Sequence, residues 1–281
     1  MSDHFSAFSF VDRITEVQPG LRARGQFATP DGLQDFPACL VAEAVGQLAA
    51  WASMAAVAFH RRPVAGLAGH VEILGDAQPG QILDLETELQ GCDSDAVAYQ
   101  GWAHAGGSPL LRLSHCVGPM LPMEEFDDPQ AVRDHFALLC GAGAAPGRFP
   151  GVSVPQLLIL DGSPGEGLRA TMQIPASAPY FADHFPWRPV FPGSLLLEAQ
   201  LRLAAQLARR VLPQAPGLLL VPSHVSDVKL RAFLSPGQAV EIEAKMHSGA
   251  GSRRGAVAVA VRANGKQVAS ARVALTPRDS S

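Results

Sequence analysis

The chain repeats itself. The run PACLVAEAVGQLAA from Pro37 returns as PGSLLLEAQLRLAA from Pro192, at an offset of about 155 residues. Both runs read proline, two small residues, leucine, two apolar residues and Glu-Ala, and both continue as an apolar helix. Glu43 and Glu198 fall on the same position. The match extends on both sides. GHVEILGDAQPGQILDLETEL from Gly69 aligns with SHVSDVKLRAFLSPGQAVEIEAKM from Ser223, and FVDRITEVQPGLRARGQF from Phe10 with LLILDGSPGEGLRATMQI from Leu157. A self-match this long calls for two copies of one structural unit.

Each copy reads the same way. A strand, a Pro-Gly turn and a second strand lead through a loop into one long helix. Alternating strands follow at Gln81–Leu89, Ala96–Ala105 and Leu110–Val117, and again at Ala239–Met246, Gly255–Ala263 and Gln267–Leu275. Alternation such as AVAVAVRA suits a strand with one buried face. Gly106-Gly107 and Asn264-Gly265 read as hairpin turns. The expected unit is α+β: a curved antiparallel sheet wrapped around one apolar helix. The division is residues 1–118 for the first unit, 119–150 for a connection and 151–281 for the second unit. Within the connection, Asp127-Asp128-Pro129 starts a short helix through Leu139, with proline at its first position. GAGAAPG then reads as a flexible linker.

Composition limits the function classes. The chain is 47% apolar and 17% charged, enough for a sizeable core and against disorder. With 22 basic and 26 acidic residues it is not built to bind nucleic acid through bulk charge. Cys39, Cys92, Cys116 and Cys140 form no C-x-x-C pair, which fits a reducing cytoplasm better than a disulfide framework. The opening MSDHFSAFSF lacks the pattern of a signal peptide. Leu40–Phe59 has the length of a membrane span, but it carries Glu43 and Gln47, and its expected place is the interior of a soluble fold rather than a membrane.

The sharpest motif is APYFADHFPWRPVFPGSLLLEAQ, from Ala178 to Gln200. His184 opens a loop stiffened by Pro186, Pro189 and Pro192. Gly193 follows at the start of a helix, where N–H groups are free, and Glu198 lies one turn in. His184-Phe185-Pro186, Pro189-Val190, Pro192-Gly193 and Glu198-Ala199 resemble the β-hydroxyacyl-acyl-carrier-protein dehydratases of bacterial fatty-acid synthesis, which have the hot-dog fold. The first half resembles them more weakly, through Phe10-Val11-Asp12-Arg13, Pro19-Gly20, and Glu43-Ala44 with Gln47. The implied architecture is a fused double hot-dog.

The first half departs from the pattern. Gly20 to Glu43 spans 23 residues, against 33 from Gly165 to Glu198, and the shortened loop ATPDGLQDF has no histidine. In the resembled family two units pair, and each site takes its histidine from one and its acid from the other. Carried over, this implies one site in which His184 faces Glu43. Glu198 faces the shortened loop, and Glu198, Phe185 and Pro192 belong to substrate contacts or a vestigial second site. The implied reaction removes water from a 3-hydroxyacyl thioester in fatty-acid or polyketide-type synthesis. His184 takes the C2 proton, and Glu43, its pKa expected to be raised by burial, protonates the departing hydroxyl. The Gly193 N–H faces the developing thioester oxyanion. No metal or organic cofactor is implied. The acyl group comes on acyl carrier protein or coenzyme A, and the sequence leaves open a monomer or a homo-oligomer.

Two other readings stand beside this one, a hot-dog thioesterase and a non-catalytic acyl-binding module. The intact His184 motif argues against both. Arg61-Arg62 and Arg209-Arg210 read as helix ends that complement the dipole or dock an acidic carrier. Cys39 reads as a small packing residue. His70 and His224, at matching places in the repeat, read as structural residues at strand ends.

Overall fold

The computed structural model describes residues 4–160, 167–212, 218–247 and 256–279. The first half opens with β1 (Arg13–Gln18), β2 (Arg22–Ala28) and α1 (Ala38–Ala56). It continues through β3 (Arg61–Pro63), β4 (Leu67–Ile73), β5 (Ile82–Cys92), β6 (Ala96–Ala105) and β7 (Ser108–Pro122). A 3-10 turn and α2 (Pro129–Cys140) lead to the second half. That half contains β8 (Leu157–Leu160), β9 (Leu168–Gln173), α3 (Gly193–Val211), β10 (Leu218–Leu230), β11 (Ala239–His247), β12 (Ala256–Ala263) and β13 (Lys266–Asp279). The Pro-Gly turn at Gly165 and the Gly255 strand start lie outside the described residues.

The sheet order is a palindrome. It runs β1-β2-β5-β6-β7-β4, then β10-β13-β12-β11-β9-β8. Each first-half strand on this path has its counterpart at the mirrored place in the second; β3, which lies off the path and pairs with β7, has none among the described residues. The seam is the antiparallel pair β4–β10, where Val71 lies opposite Val225, Glu72 opposite His224 and His70 opposite Ser226. Such a register is what two copies related by a pseudo-two-fold axis produce. The chain is thus a double hot-dog, with α1 and α3 each lying against its own half of the sheet.

Alternation sets the buried faces. On β12, Val257, Val259 and Val261 are buried toward α3, and on β5 Leu83, Leu85 and Thr87 are buried toward α1. Gly106-Gly107 and Asn264-Gly265 both have positive φ at two successive positions, the geometry of a type I′ hairpin. α1 is long and apolar enough to cross a membrane by length and composition. Here its apolar residues are buried in the core, among them Leu40, Val41, Val45, Leu48 and Met54.

Several expectations need correction. α1 stops at Ala56 rather than Phe59, because Ala58 and Phe59 turn to positive φ. Arg61 and Arg62 are therefore not a helix end but belong to β3, which pairs with the end of β7. β7 continues to Pro122, so the first residues assigned to the connection are strand. The GAGAAPG stretch is not a loose tether: the Ala144 N–H donates to the Asp12 carbonyl at 2.7 Å, and Phe149 is buried against Phe10. His70 and His224 stand within strands, not at their ends, and their rings meet across the seam, Nδ1 to Nε2, at 3.3 Å.

α2 begins as expected, with Asp128 accepting from the Gln130 N–H and proline at the first turn. Its His135 is buried and stacked on Phe5 at 4.0 Å. Burial pushes His135 down to about 4, with Arg148 and His4 adding to the effect and Asp127 opposing it. A histidine that folds neutral costs stability when it must charge. Its contribution is present above about pH 6.5 and is lost as the pH falls toward 4. The loss is on the order of 3 kcal/mol over that window. Urea unfolding at pH 7 and pH 4.5 should show this fall in the wild type and a clearly smaller one in His135→Phe.

Candidate active site

The second-half loop carries His184 between a 3-10 turn (Pro179–Ala182) and α3. The His184 N–H donates to the Tyr180 carbonyl at 2.9 Å, and the Val190 N–H returns to the His184 carbonyl at 2.9 Å. These two bonds close the loop on itself. The ring is fixed as well, with Nδ1 2.9 Å from the Val190 carbonyl oxygen. A carbonyl only accepts, so Nδ1 carries the hydrogen. In the neutral ring the lone pair then lies on Nε2. Burial lowers the His184 pKa. Glu43 and the Val190 bond pull it up, and Arg62 pushes it down. The net direction keeps the imidazole neutral.

His184 and Glu43 line one cavity of about 240 Å³, together with Gly193, Arg62, Tyr99 and Phe185. Glu43 projects from α1 of the first half, and its Oε1 accepts from Gln47 Nε2 at 3.1 Å. Gly193 is the first residue of α3, after Pro192 at the N-cap, so its N–H has no intrahelical acceptor. A methyl group at Gly193 would come within 2.5 Å of Leu230 Cδ1, so any side chain must displace Leu230. Small residues on α1, Ala42, Gly46, Ala49 and Ala50, leave room beside the helix, and Val71, Val97 and Leu113 also line the cavity.

The other named residues lie elsewhere. Glu198 stands outside this cavity, hydrogen-bonded to the Cys39 thiol and near Asp35 of the shortened loop. Burial raises its pKa, partly offset by Cys39 and Arg202. Burial and both glutamates push the Cys39 thiol well up, so it stays a protonated donor. Pro192 caps α3. Phe185 packs with Phe126 and Val190, stacks on the His184 ring at 4.3 Å and carries the Arg62 guanidinium 4.2 Å above its centroid.

Arg62, Asp127 and Asp183 take their places beside the site from tertiary contacts. Arg62 is half-buried, its side chain 18% exposed, and paired with Asp127 at 3.2 Å; Asp127 also takes His4 at 3.1 Å. Asp183, next to His184, is buried and accepts from the first-half segment. Arg62 is consequently not a surface charge open to a carrier. A charged residue inside the apolar, proline-rich loop was the one available hint of Asp183.

Residues 157–272 match the FabA-like domain family. The 3-hydroxyacyl-[acyl-carrier-protein] dehydratase FabZ of Shewanella oneidensis is 33% identical over 104 residues, covering 36% of this chain and 66% of that protein. The chain belongs to the hot-dog dehydratase family. FabZ of Shewanella putrefaciens matches over the same shares at 33% identity. The chain thus spans 66% of the length of these hot-dog dehydratase relatives. Two solved structures share the double hot-dog over nearly the whole chain. One, assigned as an oleoyl thioesterase of Lactobacillus plantarum, has a TM-score of 0.59 at 9% identity, covering 93% of this chain and 98% of that one. The other, the 12:0-ACP thioesterase of Umbellularia californica, has a TM-score of 0.55 at 11% identity, covering 99% and 98%. At such identities they share the fold alone with this member of the hot-dog dehydratase family.

Proposed function

We propose that this chain dehydrates 3-hydroxyacyl thioesters carried on acyl carrier protein, giving trans-2-enoyl thioesters. One observation carries the reading: a neutral imidazole with Nδ1–H committed to Val190 shares an apolar cavity with a carboxyl group from the other half. His184 Nε2 takes the C2 proton, and the electron pair moves onto the thioester oxygen. The Gly193 N–H, at the positive end of α3, stabilises that oxyanion. The enolate then collapses to the C2–C3 double bond while Glu43 gives its proton to the departing C3 hydroxyl, and water leaves. In the reverse direction the same groups add water. The thioesterase reading gains nothing from neighbours that share only the fold.

The test is hydration of trans-2-enoyl thioesters on acyl carrier protein and on coenzyme A, followed by loss of enoyl absorbance. Loss of absorbance with the carrier-bound substrate, without release of free thiol, is the expected result. Thiol release without hydration would make the chain a thioesterase. No reaction on either carrier would leave a non-catalytic acyl-binding module.

A further inference from the structure

The first-half segment Phe5–Phe10 is gripped from both sides of the site. On the second half, Asp183 accepts the Phe5 N–H, the Phe8 N–H at 2.7 Å and the Ser9 hydroxyl at 3.1 Å. On α1, Gln47 accepts the Phe10 N–H at 2.8 Å and donates to the Phe8 carbonyl at 2.9 Å. The same Gln47 amide reaches Glu43 Oε1. Asp183 precedes His184 in the chain, and Gln47 stands one turn from Glu43. Between the two grips, the buried Phe8 ring meets the His184 ring edge-on at 5.8 Å.

We infer that this segment is a clasp that sets the imidazole of His184 against the carboxyl of Glu43, and that Asp183 is its positioning residue. The inference rests on the dehydratase reading of the site. Base and acid ride on different halves. Other contacts cross between the halves, such as Arg62 over the Phe185 ring and the Trp187 N–H on the Phe126 carbonyl, but the Phe5–Phe10 segment ties the residue beside His184 to the residue one turn from Glu43. A buried carboxylate that accepts two backbone N–H groups and a hydroxyl is a strong, directional anchor. It has no structural counterpart within either half alone, since all its donors lie more than 170 residues away in the chain. The far end of the segment is tied down independently. The Phe5 ring lies between His4 and His135, and its carbonyl accepts from Arg148 at 3.1 Å.

Asp183→Asn keeps the shape of the side chain and removes one acceptor oxygen. The expected result is a fall in kcat of about 100-fold, the scale of a small misplacement of reacting groups. KM should stay within about twofold, because binding is not what is lost. Phe8→Leu should lower kcat by the same route, so the double variant should be little worse than the worse single one. Amide exchange at Phe8 should accelerate in Asp183→Asn. Faster Phe8 exchange with unchanged kcat would overturn the inference, as would losses from the two substitutions that simply add. Wild-type protein with no turnover on any thioester would end the dehydratase reading. NMR titration of the His184 imidazole would then decide the clasp alone: a titration unchanged in Asp183→Asn would overturn it, and a shifted one would support it.

Discussion

His184→Gln is expected to lower enoyl-thioester hydration by about 10²- to 10⁴-fold, the range that positioned general acid–base groups supply. Glutamine keeps an N–H donor for the Val190 carbonyl but has no basic nitrogen to hold a proton, so the loss should fall on kcat with little change in unfolding midpoint. The wild-type pH profile provides a second check. Burial disfavours imidazolium, so the His184 pKa lies below the ordinary histidine value. The base therefore stays neutral further into acid, and the acidic limb of kcat/KM should lie below pH 6.5. An acidic limb above the ordinary histidine value would mean that Glu43, not desolvation, dominates the environment of the ring. A residual rate in His184→Gln near that of the wild type would remove His184 from the chemistry.

The fold was legible in the sequence to the extent that it is periodic. Val257, Val259 and Val261 announce a strand by alternation, and the Pro37 and Pro192 runs announce two helices by repetition. The palindromic strand order then follows from two copies sharing an axis. What could not be read were contacts without a period. The Asp183 bond to Phe8 spans 175 residues, and the Arg62 pair with Asp127 spans 65. Arg62 looked like a helix end because nothing before it breaks the apolar run; the break comes from the positive φ of Ala58 and Phe59, residues with no turn preference. The glycine-rich connection looked free because its anchors, Asp12 and Phe10, belong to the other end of the first half. Motif residues declare themselves locally, whereas the residues that hold the motif in place are set by tertiary packing.

The two helix glutamates separate the assignment most sharply. They occupy the same repeat position, each about one turn into its helix, yet their surroundings differ. Glu43 opens onto the cavity with His184, held by Gln47. Glu198 is enclosed by the Cys39 thiol and the loop that carries Asp35, a loop too short to bring in a histidine. Glu43→Gln should therefore lower hydration by about 10²- to 10⁴-fold, since glutamine cannot exchange the proton that water addition requires. Glu198→Gln should leave the rate within a fewfold of wild type. Its amide still accepts from the Cys39 thiol, and the carboxyl it replaces is already driven toward the neutral form by burial. Stability should follow the same logic: burial opposes the Glu198 charge more than Arg202 favours it, so the unfolding midpoint of Glu198→Gln should not fall. The reverse pattern, with Glu198→Gln inactive and Glu43→Gln active, requires a different His184 partner. Glu198 stands outside the cavity that His184 lines, so such a pair would have to form between two copies of the chain. Sedimentation of the active species would then have to show at least a dimer.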